Sequence, residues 1–560
     1  MARLIAAILS SVTSLSAPPP DLILEGATVY VAAEANPQKS SIVLVGGRIV
    51  FVGDPSAARR MAPAASRIDL AGSFIFPGLA DAHGHLAGLG KSLEIADLRG
   101  AADARQAAER IAAVAAKLPA AAWAEGRGWD QNGWPDAKFP DARDLDALLP
   151  DRPAAARRVD GHAVWVNSAA LRVIGAGAST RDPDGGRILR RADGSPSGVF
   201  VDNAMALVEK AMPAPTDADF SRRFLGATRA CAKVGLTQVQ DASAYRPEEI
   251  DAIARIAERN ELSVRVYATV SPDPADLAAA FRKGVRIGGT GGLLTVRAIK
   301  SYADGALGSR GAALLADYSD DPGNRGLLVT PPDRLDELAR QAREQGWQLW
   351  VHAIGDRGNR TALDAFAKAR AAVGRAAAGG DRPRIEHAQV VAPADIPRFA
   401  KEGVIASIQP THATSDMPWA ERRLGPDRIR GAYAWRQLVL AGARLAGGSD
   451  FPVESENPLL GFYAAVTRQD LSGGPAGGWR PGERLTRREA LALFTTGAAY
   501  AAFEEDRRGR IAPGFEADLT VLAGDLMTAP ARDIPSIPVV LTITGGRVVY
   551  GRGLAAGTHP

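Results

Sequence analysis

The chain has 560 residues, 46% hydrophobic and 23% charged, a composition typical of a globular protein with a large core rather than a disordered or fibrous one. Its 67 lysines and arginines against 63 aspartates and glutamates give a net charge of +4, and no run of like charges resembles a nucleic-acid-binding arm, so we expect no nucleic-acid partner. The single cysteine, Cys231, excludes an intramolecular disulfide, and its apolar helical surroundings favour a buried thiol over a nucleophile.

The first 20 residues have the pattern of a secretory signal peptide. One arginine precedes the apolar stretch 4–9, and serines and alanines lead to prolines at 18–20. The alternative is an alanine-rich leader on a cytoplasmic protein. We therefore expect a periplasmic or secreted protein if the signal functions and a cytoplasmic one otherwise. No apolar run reaches the roughly 18 residues that cross a bilayer, which predicts no integral membrane segment.

Short β-type runs at the two chain ends predict a small β-sandwich assembled from residues 21–73 and 505–557. The sequence GGRIVF at 46–51 is echoed by GGRVVY at 545–550. In each, the glycine pair is a tight-hairpin signal between two apolar runs. The alternative is that the two ends form unrelated hairpins.

Between these ends, strand candidates alternate with amphipathic helices, which predicts an α/β fold of the (β/α)8 TIM-like barrel type over residues 74–97 and 213–504. A doubly wound open sheet is the alternative, but no glycine-rich dinucleotide motif follows the first strand. The strand candidates are residues 74–76, 236–240, 263–267, 296–300, 348–352, 384–387, 404–408 and 444–448. The helix candidates include residues 103–117, 219–234, 247–259, 333–345 and 359–371.

A long segment interrupts this alternation. About 160 residues separate the first strand candidate from the second, whereas one strand–helix–strand crossover needs about 30. Barrel enzymes accept such insertions in the loops at their catalytic face. We therefore expect an inserted lobe or lid over residues 98–212.

Two histidines, His83 and His85, follow the first strand candidate in the sequence DAHGH at 81–85. Only seven histidines occur in the chain, so a pair at this spacing is uncommon by chance. Alternate residues of an extended segment point to the same side, so both imidazoles can bind one ion. The alternative is a pair of hydrogen-bonded polar residues at a strand end.

Four further polar residues lie at or just after predicted strand ends, namely Lys300, His352, His387 and Asp450. All strand C-termini of a parallel barrel open on one face, so these side chains are expected to converge with the histidine pair. Imidazoles and carboxylates are usual zinc ligands, and the lack of thiolates favours a catalytic over a structural site. The sequence therefore predicts a metal centre on this face.

Several longer motifs surround these candidate ligands: GRGWD at 126–130, DGH at 160–162, KSYADGALGSR at 300–310, VHAIGD at 351–356 and IEHAQ at 385–389. Together with the ligands, they resemble the amidohydrolase superfamily. The resemblance is greatest to its family-3 branch, the metal-dependent hydrolases that include N-substituted formamide deformylase. It covers nearly the whole chain after the N-terminal segment, and it is specific for the branch rather than for a substrate.

The resemblance implies one or two divalent metal ions, with zinc as the expected metal. It implies that His83 and His85 hold one ion with Asp450 beside it, and that His352 and His387 hold the other. Some relatives bind a single ion, which leaves the number open.

For Lys300, the resemblance implies carboxylation by carbon dioxide to a carbamate that bridges the two ions. An unmodified ammonium beside two dications would be strongly repelled, whereas a carbamate is an anionic oxygen ligand. The alternative is a lysine directed at the substrate.

The expected reaction is hydrolysis of a non-peptide C–N bond of a small molecule by metal-bound hydroxide. Asp450 is expected to act as general base and then acid, while a second metal ion or His162 from the lobe polarises the carbonyl. One alternative is a lactone, ester or phosphoester hydrolase with the same centre. Another is a metal-binding or ligand-capturing barrel without catalysis, against which a proton-shuttling Asp450 argues.

Five residues are candidates for substrate contact. Trp129, Asp130, Tyr302 and Arg310 are assigned by resemblance alone, and Trp129 fits a core anchor of the lobe equally well. His412 follows the seventh strand candidate and is expected on the catalytic face, either as a substrate contact or as a structural histidine. The expected partner is a small molecule, and a homodimer is one option for the assembly.

Overall fold

The computed structural model describes residues 21–119, 122–183, 186–213, 216–374 and 380–551. The predicted signal peptide at 1–20 lies outside the described residues. Within the described ranges, no helix combines the length and the apolar character that a bilayer crossing requires.

Eight parallel strands form the central sheet, in agreement with the predicted TIM-like barrel. Each pairs with its neighbour in chain order. The first and last strands meet beyond their ends, where Asp450 N donates to His83 O at 2.7 Å and His85 N donates to Phe451 O at 2.8 Å. The barrel strands are Leu79–Gly84, Leu236–Tyr245, Arg265–Val270, Leu294–Tyr302, Gln348–Ala353, Arg384–His387, Ile405–Ile408 and Arg444–Gly447.

The first barrel strand is not the predicted one. Residues 74–76 belong to the strand Phe74–Pro77, which pairs with strands from both chain ends outside the barrel. Gly78 follows it, and a Cβ there would lie 2.4 Å from Thr237 Oγ1, so only glycine lets the chain pass this close to the second barrel strand. The barrel therefore begins at Leu79, and the predicted boundary at residue 74 is wrong.

Strands from the two chain ends lie together in two sheets. The four-stranded sheet has the order Arg48–Gly53, Ser41–Val45, Leu22–Glu25, Ser66–Asp69. The six-stranded sheet has the order Arg547–Gly551, Val539–Thr544, Leu519–Leu522, Phe74–Pro77, Thr28–Val29, Gln38–Lys39. One cluster of buried apolar residues, among them Leu44, Ile75 and Val521, includes members of both sheets.

A second six-stranded sheet lies between the first two barrel strands in the sequence. Its order is Gly186–Arg190, Pro196–Asp202, Ala163–Val166, Ala154–Arg158, Ala124–Trp129, Ala96–Asp97. We call the described part of residues 96–213 the inserted lobe. Its own core is apolar and contains Trp129, Trp165 and Ile111. A role as a lid stays a prediction.

The helices between the barrel strands turn an apolar face inward. Pro247–Glu258 is an example: Pro247 suits the first helical turn because its φ is fixed, and Ile250, Ile253 and Ile256 pack into the main core. The α-helices are Pro55–Met61, Leu86–Ser92, Ala104–Ala115, Ala142–Asp146, Ser168–Ile174, Met205–Ala211, Asp217–Lys233, Pro247–Glu258, Pro274–Lys283, Pro332–Gln345, Asp356–Val373, Ile396–Glu402, Pro410–Asp416, Ala420–Arg428, Trp435–Leu440, Pro458–Thr467, Arg487–Leu493 and Thr496–Ala501.

Candidate metal centre

Histidines and one carboxylate converge at the C-terminal ends of the barrel strands. One donor atom each from His83, His387 and Asp450 lies within 4.8 Å of the other two, and all three residues are buried. The ring centroid of His352 is 4.5 Å from that of His387, and His85 Nε2 is 2.9 Å from Asp450 Oδ1. The structure thus brings five of the six predicted ligands into one group, which we call the ligand cluster.

The sixth predicted ligand, Lys300, reaches the same cluster. Its Nζ lies 3.4 Å from His83 Nε2, and its side chain is almost fully buried. Burial lowers the pKa of the Lys300 ammonium to about 8. A larger share of this amine is therefore neutral near pH 7 than for an exposed lysine.

Two members of the ligand cluster have an unusual backbone. His387 has a φ of 74° and Asp450 a φ of 60°, both in the left-handed region that non-glycine residues rarely adopt. Such a conformation costs about 1–3 kcal/mol and persists where the surrounding structure enforces it, often at functional sites. Here the backbone turns sharply just as each strand ends and aims the side chain at the cluster.

Buried acceptors orient two of the imidazoles. His83 Nδ1 donates to Glu386 Oε2 at 2.5 Å, and His387 Nδ1 donates to Gln409 Oε1 at 2.7 Å. With Nδ1 on a protein acceptor, Nε2 is the nitrogen of each ring that can bind an ion, which is the usual arrangement around metal-binding histidines. Sequence reasoning missed both acceptors. Glu386 directly precedes His387 and Gln409 directly follows the seventh barrel strand, so both lie at strand ends, as the predicted ligands do.

Glu386 is itself held by a cation inside the barrel. Arg384 Nε donates to Glu386 Oε1 at 2.8 Å, and its Nη2 donates to Ala82 O at 2.7 Å and to Ser407 Oγ at 2.9 Å. The guanidinium also lies 3.8 Å from the ring centroid of Trp350. Burial raises the pKa of Glu386, but the charge of Arg384 and the contact with His83 outweigh it and hold the pKa at about 2. Glu386 is therefore a fixed anion beneath His83.

Asp81 joins the two sides of the barrel seam. Its Oδ2 accepts from Ser449 Oγ at 2.6 Å, and its Oδ1 accepts from His83 N at 2.9 Å. Burial raises the pKa of Asp81 to about 7 despite these hydrogen bonds. This residue, also missed from the sequence, fixes the backbone next to Asp450.

The protonation of the cluster suits metal binding. Burial lowers the pKa of His352 to about 3 and that of His387 well below its usual value, so both rings are neutral, the form that binds metal. Burial raises the pKa of Asp450, but hydrogen bonds from His83 and His85 outweigh it and keep the pKa well below its usual range. Asp450 is therefore an anion beside two neutral imidazoles, those of His352 and His387.

A cavity of about 710 Å³ opens over the cluster, with walls from the barrel and from the inserted lobe. This volume lies within the range of small-molecule sites, roughly 300–1,000 Å³. Tyr302 and His412 line its barrel wall, and their contact with a substrate stays a prediction. The Nε2 atom of His412 lies 3.7 Å from Asp450 Oδ2 and has no hydrogen-bond partner among the described residues.

Two predicted residues line the lobe wall of the cavity. His162 Nδ1 donates to Asp202 Oδ1 at 3.0 Å, which leaves its Nε2 free. Burial lowers the pKa of His162, but the hydrogen bond with Asp202 outweighs it, so the pKa is raised. Asp130 also lines the cavity, but its Oδ1 accepts from Arg158 Nη2 at 2.5 Å and is already occupied.

The structure corrects two assigned substrate contacts. Trp129 is fully buried in the lobe core and its Nε1 donates to Ala156 O at 2.7 Å, so the alternative of a core anchor holds. The strand is irregular between Arg127 and Trp129, which sets the direction of the side chains there. Arg310 pairs with Asp320 at 3.0 Å and does not line the cavity.

Comparison with known proteins agrees with this geometry. A sequence model of the amidohydrolase family matches residues 67–550. YtcJ of Bacillus subtilis (strain 168), a protein with an amidohydrolase name, is 34% identical over 537 residues, which cover 94% of this chain and 99% of YtcJ. The N-substituted formamide deformylase of Arthrobacter pascens is 26% identical over 552 residues, covering 95% of this chain and 98% of that enzyme.

Solved structures of metal-dependent hydrolases are also similar to this chain. An uncharacterized metal-dependent hydrolase from Pyrococcus furiosus is 28% identical, with a TM-score of 0.73, and covers 91% of this chain and 100% of its own. Another, from Pyrococcus horikoshii OT3, is 26% identical with a TM-score of 0.76, and covers 91% and 99%. Because the family match runs through the whole barrel and the inserted lobe, this chain belongs to the amidohydrolase family and is a metal-dependent hydrolase.

Proposed function

We propose that the enzyme hydrolyses a non-peptide C–N bond of the amide type in a small molecule. The observation that carries this proposal is the meeting of donor atoms from His83, His387 and Asp450 within 4.8 Å under a cavity of about 710 Å³. The name of the relative N-substituted formamide deformylase supports a C–N bond over a C–O or P–O bond.

The donor set fits one or two divalent ions, for which we propose zinc. Imidazole nitrogens and carboxylate oxygens are ligands that zinc prefers, and the second nitrogens of His83 and His387 are already bound to protein acceptors. We assign His83, His85 and Asp450 to one position and His352 with His387 to the other. A bound ion would polarise the scissile carbonyl and lower the pKa of a water molecule.

We further propose that Lys300 is carboxylated. The neutral amine attacks carbon dioxide, its nitrogen bonds to the carbon, and one proton leaves to water, which yields an anionic carbamate. Burial favours this step because it lowers the pKa of Lys300 to about 8 and so supplies neutral amine. An ammonium 3.4 Å from His83 Nε2 would instead repel a cation bound by that nitrogen.

Asp450 is the proposed general base and acid. Its Oδ1 is 2.9 Å from His85 Nε2 and its Oδ2 is 3.7 Å from His412 Nε2, so both carboxylate oxygens lie inside the cluster. As an anion, Asp450 can accept the proton of the attacking water and pass it to the leaving nitrogen. His162, on the facing wall, is the proposed donor to the carbonyl oxygen as negative charge develops there.

The test is an amine-release assay on protein loaded with zinc in bicarbonate, with N-formyl, N-acyl and cyclic amides. Asp450→Asn should lower kcat by about 100- to 10,000-fold and leave the metal content nearly intact, because it removes the base and retains one oxygen ligand. Retention of most activity would contradict the role of Asp450. If lactones, esters or phosphoesters react and amides do not, the same centre acts on another bond.

A further inference from the structure

Five arginines line the catalytic cavity, and four of them already have a carboxylate partner. The paired arginines are Arg99 with Asp97, Arg157 with Glu209, Arg158 with Asp130 and Arg423 with Asp320. The fifth is Arg127, and among the described residues no carboxylate oxygen lies within 4.0 Å of its nitrogens. Asp450 and Asp160 act on its charge at longer range, but no carboxylate of the described residues contacts it directly.

Arg127 is also poorly hydrogen-bonded. A guanidinium has five N–H donors, but in the described part of the chain Arg127 makes one weak contact, from Nη2 to Val159 O at 3.4 Å, while its buried Nε has no acceptor. Burial, followed by the charge of Arg157, lowers the pKa of Arg127 to about 10, so it stays a cation at neutral pH. A partly buried cation with a buried, unsatisfied Nε destabilises the free protein unless a ligand completes it.

The local sequence holds Arg127 in this position. It lies between Gly126 and Gly128 in the lobe strand Ala124–Trp129. A Cβ on Gly126 would lie 2.9 Å from Leu98 Cδ1, and one on Gly128 would lie 2.7 Å from Arg99 Cγ. The two glycines therefore let the strand pack tightly against residues 98–99. This packing fixes the strand from which the Arg127 side chain reaches the cavity.

We propose that Arg127 binds a carboxylate of the substrate, so that the enzyme acts on amides that carry a carboxylate group. The planar guanidinium matches a carboxylate with two parallel hydrogen bonds. This inference rests on the proposed function. In the reaction, the bond between carbonyl carbon and nitrogen breaks, the oxygen of water joins the carbon, and a proton passes to the nitrogen.

A single substrate molecule can contact both Arg127 and the ligand cluster. Arg127 and Asp450 line the same cavity, and the charge of Asp450 acts on the pKa of Arg127. Tyr302 and Trp419 line it as well and offer aromatic surface to an apolar substituent. An acylated amino acid with an aromatic side chain therefore has the groups that this cavity can contact.

The first experiment compares N-acetyl-DL-phenylalanine with N-acetylphenethylamine, the same amide without its carboxylate. Arg127→Met should lower kcat/KM for the anionic amide by about 10- to 100-fold, mainly through KM, and change that for the neutral amide by less than about 3-fold. Arg127→Lys should restore part of the loss, because it keeps the charge but not the two parallel N–H donors of the guanidinium. Arg105→Met, which removes an exposed lobe guanidinium that pairs with Glu109 outside the cavity, is the control and should change either value by less than about 3-fold.

The second experiment measures thermal unfolding of the zinc-loaded protein. Without ligand, Arg127→Met should unfold at the same or a higher temperature than wild type, because it removes a partly buried charge whose Nε has no acceptor. N-acetyl-DL-phenylalanine should raise the Tm of Asp450→Asn but not that of the double variant Arg127→Met, Asp450→Asn. A residue with a purely structural role would instead lower the Tm when replaced.

The outcomes separate this inference from the proposed function. An equal loss on both amides, or no loss on the anionic one, overturns the role of Arg127 while leaving amide hydrolysis intact. If wild type cleaves neither amide, the proposed function fails for this class, and the Tm measurement still decides the role of Arg127. A ligand shift that depends on Arg127 supports carboxylate binding, and the lack of such a shift overturns it.

Discussion

The two walls of the catalytic cavity differ in how fully their polar side chains are hydrogen-bonded. On the barrel wall, buried protein acceptors hold the imidazoles, as Glu386 does for His83 and Gln409 for His387. On the lobe wall, Arg127 keeps one weak contact and a buried Nε without an acceptor among the described residues. The comparison teaches that the barrel is prearranged for chemistry, whereas the lobe leaves a donor for the substrate to satisfy.

The largest effect on this contrast is expected from Glu386→Gln. The change removes the anion that holds His83 and leaves Arg384 as a buried unpaired cation. We expect the free energy of unfolding to fall by about 3–5 kcal/mol and the metal affinity to fall by about 10- to 100-fold. Denaturant unfolding and metal titration measure the two quantities.

A surface variant serves as the control for Glu386→Gln. Glu344 pairs with Arg340 on an exposed helix face, so Glu344→Gln should lower stability by less than about 1 kcal/mol. If Glu386→Gln behaves like this control, the barrel wall is not prearranged through Glu386.

A smaller effect is expected from Gln409→Leu. It removes the neutral acceptor of His387 Nδ1 and leaves the ring free to turn. Metal affinity should fall by about 10-fold, at the low end of the range for such contacts, because no buried charge loses its partner. Competition with a chelator measures the affinity, and Gln345→Leu, on an exposed helix end, is the matched control. Unchanged affinity would show that His387 needs no acceptor.

The smallest effect is expected from Arg310→Ala. Arg310 pairs with Asp320 outside the cavity, so kcat/KM should change by less than about 5-fold on any substrate. Steady-state kinetics on the amides used for Arg127→Met measures it. A loss as large as that of Arg127→Met would return Arg310 to the substrate contacts assigned from the sequence.

The convergence of the candidate ligands could be predicted from the sequence because it depends on local features. A histidine, lysine or aspartate at the end of an apolar run is visible in the chain, and a parallel barrel brings such ends to one face. His83, Lys300 and Asp450 were found in this way. The same reasoning placed the first barrel strand at 74–76, because a buried apolar run does not reveal which sheet it joins.

The supporting residues could not be predicted because they depend on distant pairings. Glu386 meets His83 across 303 residues, and only the folded barrel shows that the two strands share its interior. Trp129 and Arg127 are two residues apart and would share a face in a regular strand, but the register shifts between them. No sequence pattern marks that shift, so the sequence left open whether Trp129, assigned by resemblance, contacts the substrate or anchors the lobe core.

The contact between the first and last barrel strands has a consequence for the synthesis and folding of the enzyme. Asp81 and Ser449 are 368 residues apart, and the backbone of Asp450 bonds to that of His83. A ribosome must therefore release nearly the whole chain before Asp450 and the histidine pair can meet. Until then the nascent protein lacks a complete ligand cluster. An ion bound by His83 and Asp450 would link the first and last barrel strands and stabilise the closed barrel.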